Sequence, residues 1–567
     1  MHFPETQPRK SLYYSYQVYP YFHSVTNTYA DQNTVTVVGA GPVGMATALL
    51  LAKQGIKVVL LSAEQQLSEG SRALVYTKRS MEILNAAGAA DKMLPKLLPW
   101  THGNSIYKGQ IAFRMASPTN EHDQFAPLNN LQQNYLEDYL YTTIQEHDNI
   151  DVRWGNKVVS EQQSEEGVSL TIHTPEGEYQ HFSPWLIAAD GGRSGIRERM
   201  KLWMEGASYE GKFVIADIRI KLDYPTERLA YFSPDWNPGN TILMHREPDD
   251  IWRFDYQLDP SISPEEALKP ENLHQAVNDQ LRMIGKDHLE WEMDWSTVYS
   301  ARALTLSDYV QNRILFVGDA AHLLPIFGVR GANTGFQDSF DLAWKLAAVV
   351  KGWAPEKLLA SYTFDRVGAA REIIAEAGKS TRFMAPPSTG FKLLRDTVLS
   401  LSLEHDFVRP LYHWRTSRPH AYTHSPLNSK QDDNTQMAEA TENGALIPNI
   451  KFTDGTFLYD YITGQFSVII INQNGQIPVN MFAEINALKE RAVPLQLIAL
   501  NIDNKTANQA DINLSVAKDV LNQRLSADVN AIYLVRPDHH INARWLNYRD
   551  QSLTAVFNQF IHVQQGA

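Results

Sequence analysis

The chain has no cysteine among its 567 residues. Disulfide bridges, thiolate metal ligands and cysteine nucleophiles are therefore excluded, and no metal site is predicted. No apolar run approaches the ~20 residues that a membrane-spanning helix needs. The N-terminal sequence MHFPETQPRK also lacks the basic and apolar regions of a signal peptide. We therefore expect a cytoplasmic protein that does not contact a membrane.

Positive charge is also scarce. The chain has 51 lysines and arginines against 64 aspartates and glutamates, which gives a formal net charge of −13. An acidic chain without a long basic block binds phosphate backbones poorly, so no nucleic-acid partner is expected. Apolar residues make up 43% of the sequence, enough for a large core, and the length suits about three domains.

The most informative stretch is 34–62, TVTVVGAGPVGMATALLLAKQGIKVVLLS. A β-branched run, glycines at GxGxxG spacing, an apolar helix and a second apolar strand form the pattern of a dinucleotide-binding unit. Gly39 allows a tight turn, Gly41 lets a pyrophosphate approach the backbone, and Gly44 lets the helix pack against the strand. The helix N-terminus offers free N–H groups and about half a positive charge to phosphates.

The residues after the second strand depart from this pattern. The acidic residue that usually binds a ribose should end that strand, where the chain has Ser62. Glu64 lies close by, so either Glu64 binds the ribose or Ser62 makes a weaker bond. Glu64 as a solvated loop carboxylate is an equal alternative. Arg72, just before a predicted helix, could neutralise a pyrophosphate, although such arginines are more often surface residues.

Two later turns also follow apolar strands. WLIAADGGRSGIRERM places Asp190-Gly191 after one strand, and RILFVGDAAH places Gly318-Asp319 after another. The second turn precedes a glycine-rich loop, PIFGVRGANTG, and a helix predicted from Thr334. Between the two turns, period-two stretches in 206–300 predict an antiparallel sheet that forms a separate substrate layer.

Both ends of the chain lie outside these motifs. Residues 1–33 are rich in aromatic side chains and predict an extended arm on the surface. Residues 431–444 are polar and predict a linker. Residues 445–567 predict a further α/β domain with strands at 466–471, 495–500 and 531–535. The linker predicts that this domain is separable from the cofactor motifs.

The three turns in this order resemble the FAD-dependent aromatic hydroxylases, the class A flavoprotein monooxygenases, over about residues 34–400. The C-terminal stretches LYDYITGQFSVIIIN and AIYLVRPDHHINARW are similar to the thioredoxin-like tail of the phenol hydroxylase and 3-(3-hydroxyphenyl)propionate hydroxylase branch. Without cysteine such a domain cannot perform dithiol chemistry, which favours a role in packing or dimerisation.

The resemblance implies an α/β fold with an inserted β-sheet domain. The expected parts are an N-terminal arm (1–33), a Rossmann-like FAD-binding domain (34–97, 128–200 and 301–400), an antiparallel β-sheet substrate domain (98–127 and 201–300), a helical or irregular linker (401–444) and a C-terminal thioredoxin-like α/β domain (445–567).

The resemblance also implies that FAD is the cofactor. Asp319 would hold the ribityl chain, Val158 would pass beside the adenine, and Pro325 would line the isoalloxazine ring. The family loop reads roughly PxxGQGMN, so Arg330 replaces a glutamine and Ala332 a methionine. The implied cofactor-binding residues are Gly39, Gly41, Val43, Gly44, Ser62, Glu64, Arg72, Gln133, Val158, Asp190, Gly318, Asp319, Pro325, Gly331, Ala332 and Asn333.

The implied activity is hydroxylation of a phenolic substrate, such as a 3-(3-hydroxyphenyl)propionate-like acid. In this family NADPH or NADH reduces FAD, O2 adds at flavin C4a, and the hydroperoxide transfers one oxygen to the ring. The expected partners are a small aromatic substrate and O2, with a homodimer left open. Catalytic candidates are His245, Arg253 and Pro325, with Tyr231 and Tyr256 weaker. His245 could accept the phenol proton, since its reference pKa is ~6.5, although a lone strand histidine is more often structural.

Three alternatives remain. An FAD oxidoreductase that does not hydroxylate would share the cofactor motifs. A flavin halogenase would show WxWxIP, whereas the nearest pair here, Trp291 and Trp295, has the wrong spacing. A non-catalytic flavin-binding protein built around the C-terminal domain is disfavoured by the complete set of cofactor motifs.

Overall fold

The computed structural model of the chain describes residues 1–325, 327–411, 418–430, 437–472, 477–502, 506–525 and 531–561. Within these ranges the chain forms mixed α/β layers with several sheets, as the sequence predicted. No helix in the described ranges combines the length and the apolar character needed to cross a membrane.

A six-stranded sheet forms the centre of the N-terminal domain. Its inner strands are parallel and continuously apolar, because both faces of such a sheet are buried. An antiparallel strand forms one edge. In spatial order the strands are Val310–Gln311, Ile314–Phe316, Trp185–Ala188, Thr34–Val38, Lys57–Leu61 and Ile150–Arg153. The three predicted turns follow three adjacent strands, so the Rossmann-like prediction is confirmed.

Helices and two small sheets complete this domain. The helix predicted from Thr334 begins earlier, at Gly331, so the end of the glycine-rich loop forms its first turn. The helices are Pro42–Lys53, Lys78–Ala86, Ala90–Met93, Gln133–Ile144, Gly195–Arg199, Gly331–Val350, Ala360–Met384 and Thr389–Ser402. The small sheets comprise Val75–Thr77, Leu128–Asn130 and Leu98–Trp100, and Thr28–Tyr29, Gly177–Ser183, Val168–Thr174 and Lys157–Gln163.

An eight-stranded, mostly antiparallel sheet forms the predicted substrate layer. One face packs on helices Pro264–Ala267 and Pro270–Met283, which the sequence analysis did not predict. The other face lies against the N-terminal domain. In spatial order the strands are His322–Leu323, Glu292–Leu306, Met204–Arg219, Ile251–Gln257, Thr241–Arg246, Arg228–Phe232, His102–Tyr107 and Gln110–Ala116.

The C-terminal region forms a third sheet of five strands. Three strands are parallel and two are antiparallel, an arrangement compatible with the predicted thioredoxin-like domain. The strands in order are Ile512–Ser515, Leu495–Asn501, Phe466–Asn472, Ile532–Val535 and Ile541–Trp545, and the helices are Leu458–Ile462, Val479–Glu490, Lys518–Leu525 and Ser552–Phe557.

The sequence predicts that this C-terminal domain is separable from the cofactor motifs, and in the structure it shares a buried interface with the N-terminal domain. Helix Gly331–Val350 is buried on almost every side, including its charged residues Asp338, Asp341 and Lys345, so it needs cover on two faces. The C-terminal sheet supplies the second cover: Trp344 shares a buried cluster with Phe466 and Phe557. Within the expected linker, Tyr422 is buried, whereas residues 431–436 lie outside the described ranges.

Candidate active site

The three glycines of the first turn differ in what a side chain at their position would contact. A Cβ on Gly39, whose φ is +114°, would lie 2.3 Å from the Ala189 carbonyl oxygen. A Cβ on Gly44 would lie 1.9 Å from the Gly39 carbonyl oxygen, so both positions exclude a side chain by packing. A Cβ on Gly41 would meet no atom of the described residues within 4 Å. Gly41 therefore borders open space at the start of helix Pro42–Lys53, where no side chain caps the free N–H groups.

The N-terminal arm holds the loop after the second strand. The Arg9 guanidinium lies 3.4 Å from the Glu64 carboxylate and donates a hydrogen bond of 2.6 Å to the Leu67 carbonyl. Ser62 is buried, and its hydroxyl accepts a hydrogen bond of 3.2 Å from the Glu64 backbone N–H. The Glu64 carboxylate is thus paired with the arm, while the contact of either residue with a ribose stays a prediction.

Helix Gln133–Ile144 shapes the loop that carries Arg72. Gln133 Oε1 accepts a hydrogen bond of 3.0 Å from the Ala73 N–H, and Gln133 Nε2 donates one of 2.8 Å to Glu137. The Glu137 carboxylate in turn accepts a hydrogen bond of 2.6 Å from the Ser68 N–H. The Arg72 side chain is exposed. Gln133 therefore acts on the loop backbone, and Arg72 is free to turn towards a phosphate.

The second turn is tied to the third by an arginine that the sequence analysis missed. Arg197 donates hydrogen bonds to the carbonyl oxygens of Gly192 at 2.7 Å, Asp319 at 3.2 Å and Ala320 at 2.9 Å. Asp190 Oδ2 accepts a hydrogen bond of 3.2 Å from the Ile196 N–H, and burial raises the pKa of its carboxyl. Arg197 lies in the same short motif as Asp190, which is the signal that could have revealed it.

Asp319 faces a cleft inside the molecule. Desolvation by the surrounding protein raises the pKa of the Asp319 carboxyl, although the side chain is exposed to solvent. Both observations hold if the carboxylate lines an internal cleft that solvent can enter. Gly318, with φ at +58°, makes the turn, and the side chain of Val43 packs where a Cβ on Gly318 or Gly335 would point. Val43 therefore fixes the approach of the two helices that border the cleft.

A buried carboxylate holds this third turn in place. Asp338 Oδ2 accepts a hydrogen bond of 3.0 Å from the Gly318 N–H and contacts His322 Nε2 at 2.6 Å. Asp338 Oδ1 accepts a hydrogen bond of 2.7 Å from Arg366 Nε. Burial alone raises the pKa of the Asp338 carboxyl, but His322 and Arg366 outweigh it and lower that pKa. The ionised carboxylate therefore fixes the turn.

The loop before helix Gly331–Val350 is pinned by its asparagine. Asn333 Oδ1 accepts hydrogen bonds of 2.9 Å from the Thr77 N–H and 2.6 Å from the Ser80 hydroxyl. Asn333 is buried, so its side chain joins the helix to a neighbouring strand. Pro325 is buried, and Gly331 and Ala332 are half-buried. Val329 has φ at +63°, a strained backbone conformation for a β-branched residue.

A polar row crosses the face of the substrate sheet that lies against the N-terminal domain. Asp217, Arg253 and His245 are direct neighbours on adjacent strands. Arg253 Nε donates a hydrogen bond of 2.9 Å to the Asp217 carboxylate. Its Nη2 donates one of 2.7 Å to the Ser71 hydroxyl, and its Nη1 donates one of 3.2 Å to the Arg72 carbonyl. Burial lowers the pKa of Arg253, but Asp217 and Glu247 outweigh it and raise that pKa. Arg253 thus joins the substrate sheet to the Arg72 loop.

His245 is buried beside Asp255, with 3.9 Å between Nε2 and the Asp255 Oδ2. Burial, with Arg228 and Arg253 nearby, holds the pKa of His245 well below its ordinary value. The imidazole is therefore neutral at pH 7, and Nδ1 has no hydrogen-bond partner within the described ranges. Burial raises the pKa of Asp255 to about 7. Asp255 was missed, although its period-two spacing from Arg253 places it on the same face.

The two weaker candidates lie on the opposite face of the sheet. Tyr231 and Tyr256 belong to the apolar cluster that packs against helix Pro270–Met283. Their hydroxyls therefore point away from the layer that contains His245.

Comparison with known proteins places this geometry in a family. The family described as "FAD binding domain" matches residues 32–377, which is more than half of the chain. The chain belongs to this FAD-binding family. FAD is thus the cofactor of this protein.

Two relatives with curated names extend the comparison. The 3-(3-hydroxy-phenyl)propionate/3-hydroxycinnamic acid hydroxylase of Comamonas testosteroni is 30% identical over 373 residues, which are 65% of this chain and 62% of that protein. The chain thus covers less than two thirds of the length of this relative. A protein of the same name from Mycolicibacterium smegmatis is 24% identical over 543 residues, 94% of both chains.

Two solved structures share the fold. The flavin-dependent monooxygenase PieE, in complex with FAD and substrate, superposes with a TM-score of 0.77 at 21% identity, over 94% of this chain and 100% of that one. Aklavinone-11 hydroxylase, in a ternary complex with FAD and aklavinone, superposes with a TM-score of 0.74 at 22% identity, over 93% of this chain and 98% of that one. Because both cover nearly the whole chain, they share the C-terminal region as well as the FAD-binding fold.

The residues of the cleft fit FAD. The open space before Gly41 and the uncapped helix start suit a pyrophosphate, which binds to free backbone N–H groups. The exposed carboxylate of Asp319, inside the cleft, suits the hydroxyls of a ribityl chain. Val158 is buried on strand Lys157–Gln163, and its contact with the adenine stays a prediction.

Proposed function

We propose that the protein is an FAD-dependent monooxygenase that hydroxylates a phenolic ring with NADPH or NADH and O2. One observation carries this proposal: the substrate sheet presents a face that is apolar at one end and polar at the other, directly against the FAD-binding domain. Bound FAD supplies the redox chemistry that links nicotinamide, O2 and substrate. The names of the relatives favour the same reaction.

The apolar end of that face suits an aromatic ring. Phe213, Phe232 and Leu243 share a buried cluster with Phe327, which belongs to the loop before helix Gly331–Val350. The ring centroids of Phe213 and Phe327 are 5.0 Å apart in an edge-to-face arrangement. Aromatic walls of this kind favour a flat apolar ligand and exclude water, which protects reactive oxygen species from side reactions.

The polar end suits the phenolic oxygen. A neutral His245, whose Nδ1 has no hydrogen-bond partner among the described residues, can accept a hydrogen bond from a phenol hydroxyl, and burial raises the pKa of Asp255 beside it to about 7. A phenolate activates the ring towards an electrophilic oxygen far more than a phenol does. Arg228, which is buried at this end, favours a bound anion. Arg253 acts as a positioning residue in this scheme, because its donors bind Asp217 and the Ser71–Arg72 backbone.

The proposal includes a small aromatic acid as substrate and a cytoplasmic location. A 3-(3-hydroxyphenyl)propionate-like acid is the first compound to test, because the relatives carry that name. A homodimer is a further part of the proposal, and sedimentation analysis of the purified full-length chain tests it directly.

A screen of phenolic acids tests the function. Purified holoprotein is mixed with NADPH or NADH in air, and nicotinamide oxidation is followed with and without each phenol. We expect the rate to rise with hydroxylated phenylpropionates and to stay low with the matched compounds that lack the hydroxyl. Equal rates with all compounds would contradict the hydroxylase proposal and favour a simple FAD oxidoreductase.

A further inference from the structure

A buried charge network joins the C-terminal domain to helix Gly331–Val350. Arg536 Nη2 lies 3.1 Å from Asp341 Oδ1, and Arg536 Nη1 lies 3.5 Å from Asp365 Oδ2. Trp344 Nε1 donates a hydrogen bond of 3.1 Å to Asp538 Oδ2. All five side chains are at most 3% exposed. Charges removed from water require well-defined partners, so this interface fixes the domain in one orientation.

The same domain holds a tyrosine from the connecting segment. The ring of Tyr422 lies against the ring of His540, with centroids 4.2 Å apart. The Arg536 guanidinium lies 5.2 Å from the centroid of the Tyr422 ring. The Tyr422 hydroxyl accepts a hydrogen bond of 2.9 Å from Arg366 Nη1. Two residues of the C-terminal domain therefore set the position of an acceptor for Arg366.

Arg366 carries the contact to the cofactor cleft. Its Nη2 donates a hydrogen bond of 3.2 Å to the Thr334 carbonyl, and its Nε donates one of 2.7 Å to Asp338. Asp338 binds the N–H of Gly318 at 3.0 Å. Three hydrogen bonds hold the planar guanidinium in one orientation, and the loss of the Tyr422 acceptor removes one of these constraints. A change in the position of Tyr422 should therefore alter the position of the turn that carries Asp319.

We infer that the C-terminal domain is a positioning element of the FAD site, acting through Tyr422, Arg366 and Asp338 on the turn Gly318–Ala320. Arg536 and His540 are positioning residues, since they touch neither the cofactor cleft nor its lining. The role needs no cysteine, which accounts for a thioredoxin-like sheet without dithiol chemistry. It goes beyond the proposed hydroxylation, because it concerns FAD binding alone.

The test compares two buried Tyr→Phe changes in the full-length chain. Tyr422→Phe keeps the ring and removes one of the three hydrogen-bond partners of Arg366, so one buried charged donor is left unpaired. We expect the Kd of the apoprotein for FAD to rise about tenfold or more. We also expect faster hydrogen exchange in residues 314–323, measured on the apoprotein by mass spectrometry. The visible spectrum of the bound flavin should shift as well, because its surroundings change.

Tyr533→Phe is the matched control. Tyr533 is buried within the C-terminal domain, and its hydroxyl donates 3.3 Å to the Leu525 carbonyl, away from Arg366. This change should leave the FAD Kd and the exchange of 314–323 as in the wild type. Arg536→Lys keeps the positive charge but loses the planar guanidinium that contacts several carboxylates at once. This change should raise the FAD Kd, as Tyr422→Phe does.

Two results would overturn the inference. The first is an unchanged FAD Kd and unchanged exchange of 314–323 in Tyr422→Phe. The second is a loss of FAD affinity that is equal in Tyr422→Phe and Tyr533→Phe and follows their loss of thermal stability. Either result would reduce the C-terminal domain to a packing role, while FAD binding by the wild type would stand.

Discussion

The glycines of the first turn separate folding from cofactor binding. Gly41 has φ at −83° and ψ at −178°, a conformation that alanine adopts without strain. A Cβ there would touch no atom of the described residues within 4 Å. Gly41→Ala should therefore leave the unfolding free energy of the apoprotein unchanged or raise it by about 0.4–1 kcal/mol, through a less flexible unfolded chain.

The same methyl group should weaken FAD binding. We expect the FAD pyrophosphate to occupy the open space beside Gly41, so a methyl group there would clash with the bound cofactor. Overpacking of a close contact costs about 1–3 kcal/mol. Since ~1.4 kcal/mol corresponds to a tenfold change, the FAD Kd should rise roughly 5- to 150-fold.

Gly44→Ala is the matched comparison, because its Cβ would lie 1.9 Å from the Gly39 carbonyl oxygen. Backbone must move to relieve that contact, so this variant should unfold at markedly lower urea concentration even without FAD. Urea unfolding of both apoproteins and FAD titration by fluorescence provide the data. Wild-type FAD affinity in Gly41→Ala would refute the assignment of that space to the pyrophosphate.

Three further changes test other parts of the site. Asp319→Ala should lower FAD affinity by about 1–3 kcal/mol more than it lowers apoprotein stability, as calorimetric titration and thermal unfolding would show. The Asp255 carboxyl keeps a proton up to a pKa of about 7 when folded and loses it near 3.8 when unfolded. Stability should thus fall as pH rises from 4 to 7, and Asp255→Asn should flatten that slope in urea unfolding. Arg9→Ala should speed hydrogen exchange of 63–70 and cost less than about 1 kcal/mol of stability, because its partner Glu64 is half-exposed.

Local patterns predicted the cofactor domain well. The period of the apolar residues and the glycine spacing depend on neighbours in sequence, so the strand, turn and helix of 34–62 could be predicted from the residues alone. The alternating stretches in 206–300 likewise predicted a sheet. Helix Pro270–Met283 was missed, although Leu273, Val277 and Leu281 show helical spacing.

Partners that meet only in the folded chain could not be predicted. Asp338 and Arg366 look like ordinary residues of two helices until the fold pairs them and brings the Asp338 carboxylate to the Gly318 N–H. Arg253 was predicted as a catalytic candidate, and in the structure its guanidinium binds Asp217 and the loop backbone. Titration shifts of His245 and Asp255 arise from burial among charges on four strands, which no spacing reveals.

The close packing of the C-terminal domain against helix Gly331–Val350 was missed for a similar reason. The polar composition of 431–444 is typical of a linker, and composition cannot reveal what the flanking segments contact. The near-complete burial of helix Gly331–Val350 could not be predicted from its sequence, because its buried side chains include Asp338, Asp341 and Lys345.

The stoichiometry of oxygen transfer tests the central claim most directly. Wild-type holoprotein is given NADPH or NADH, a hydroxyphenylpropionate and 18O2, and three quantities are measured together: nicotinamide oxidised, hydroxylated product and H2O2. We predict close to one product per nicotinamide, with one 18O atom in the new hydroxyl and little H2O2. In His245→Ala we predict similar nicotinamide oxidation with less product and more H2O2. Nicotinamide oxidation that yields only H2O2 with every phenolic acid, or product without 18O, would contradict the account.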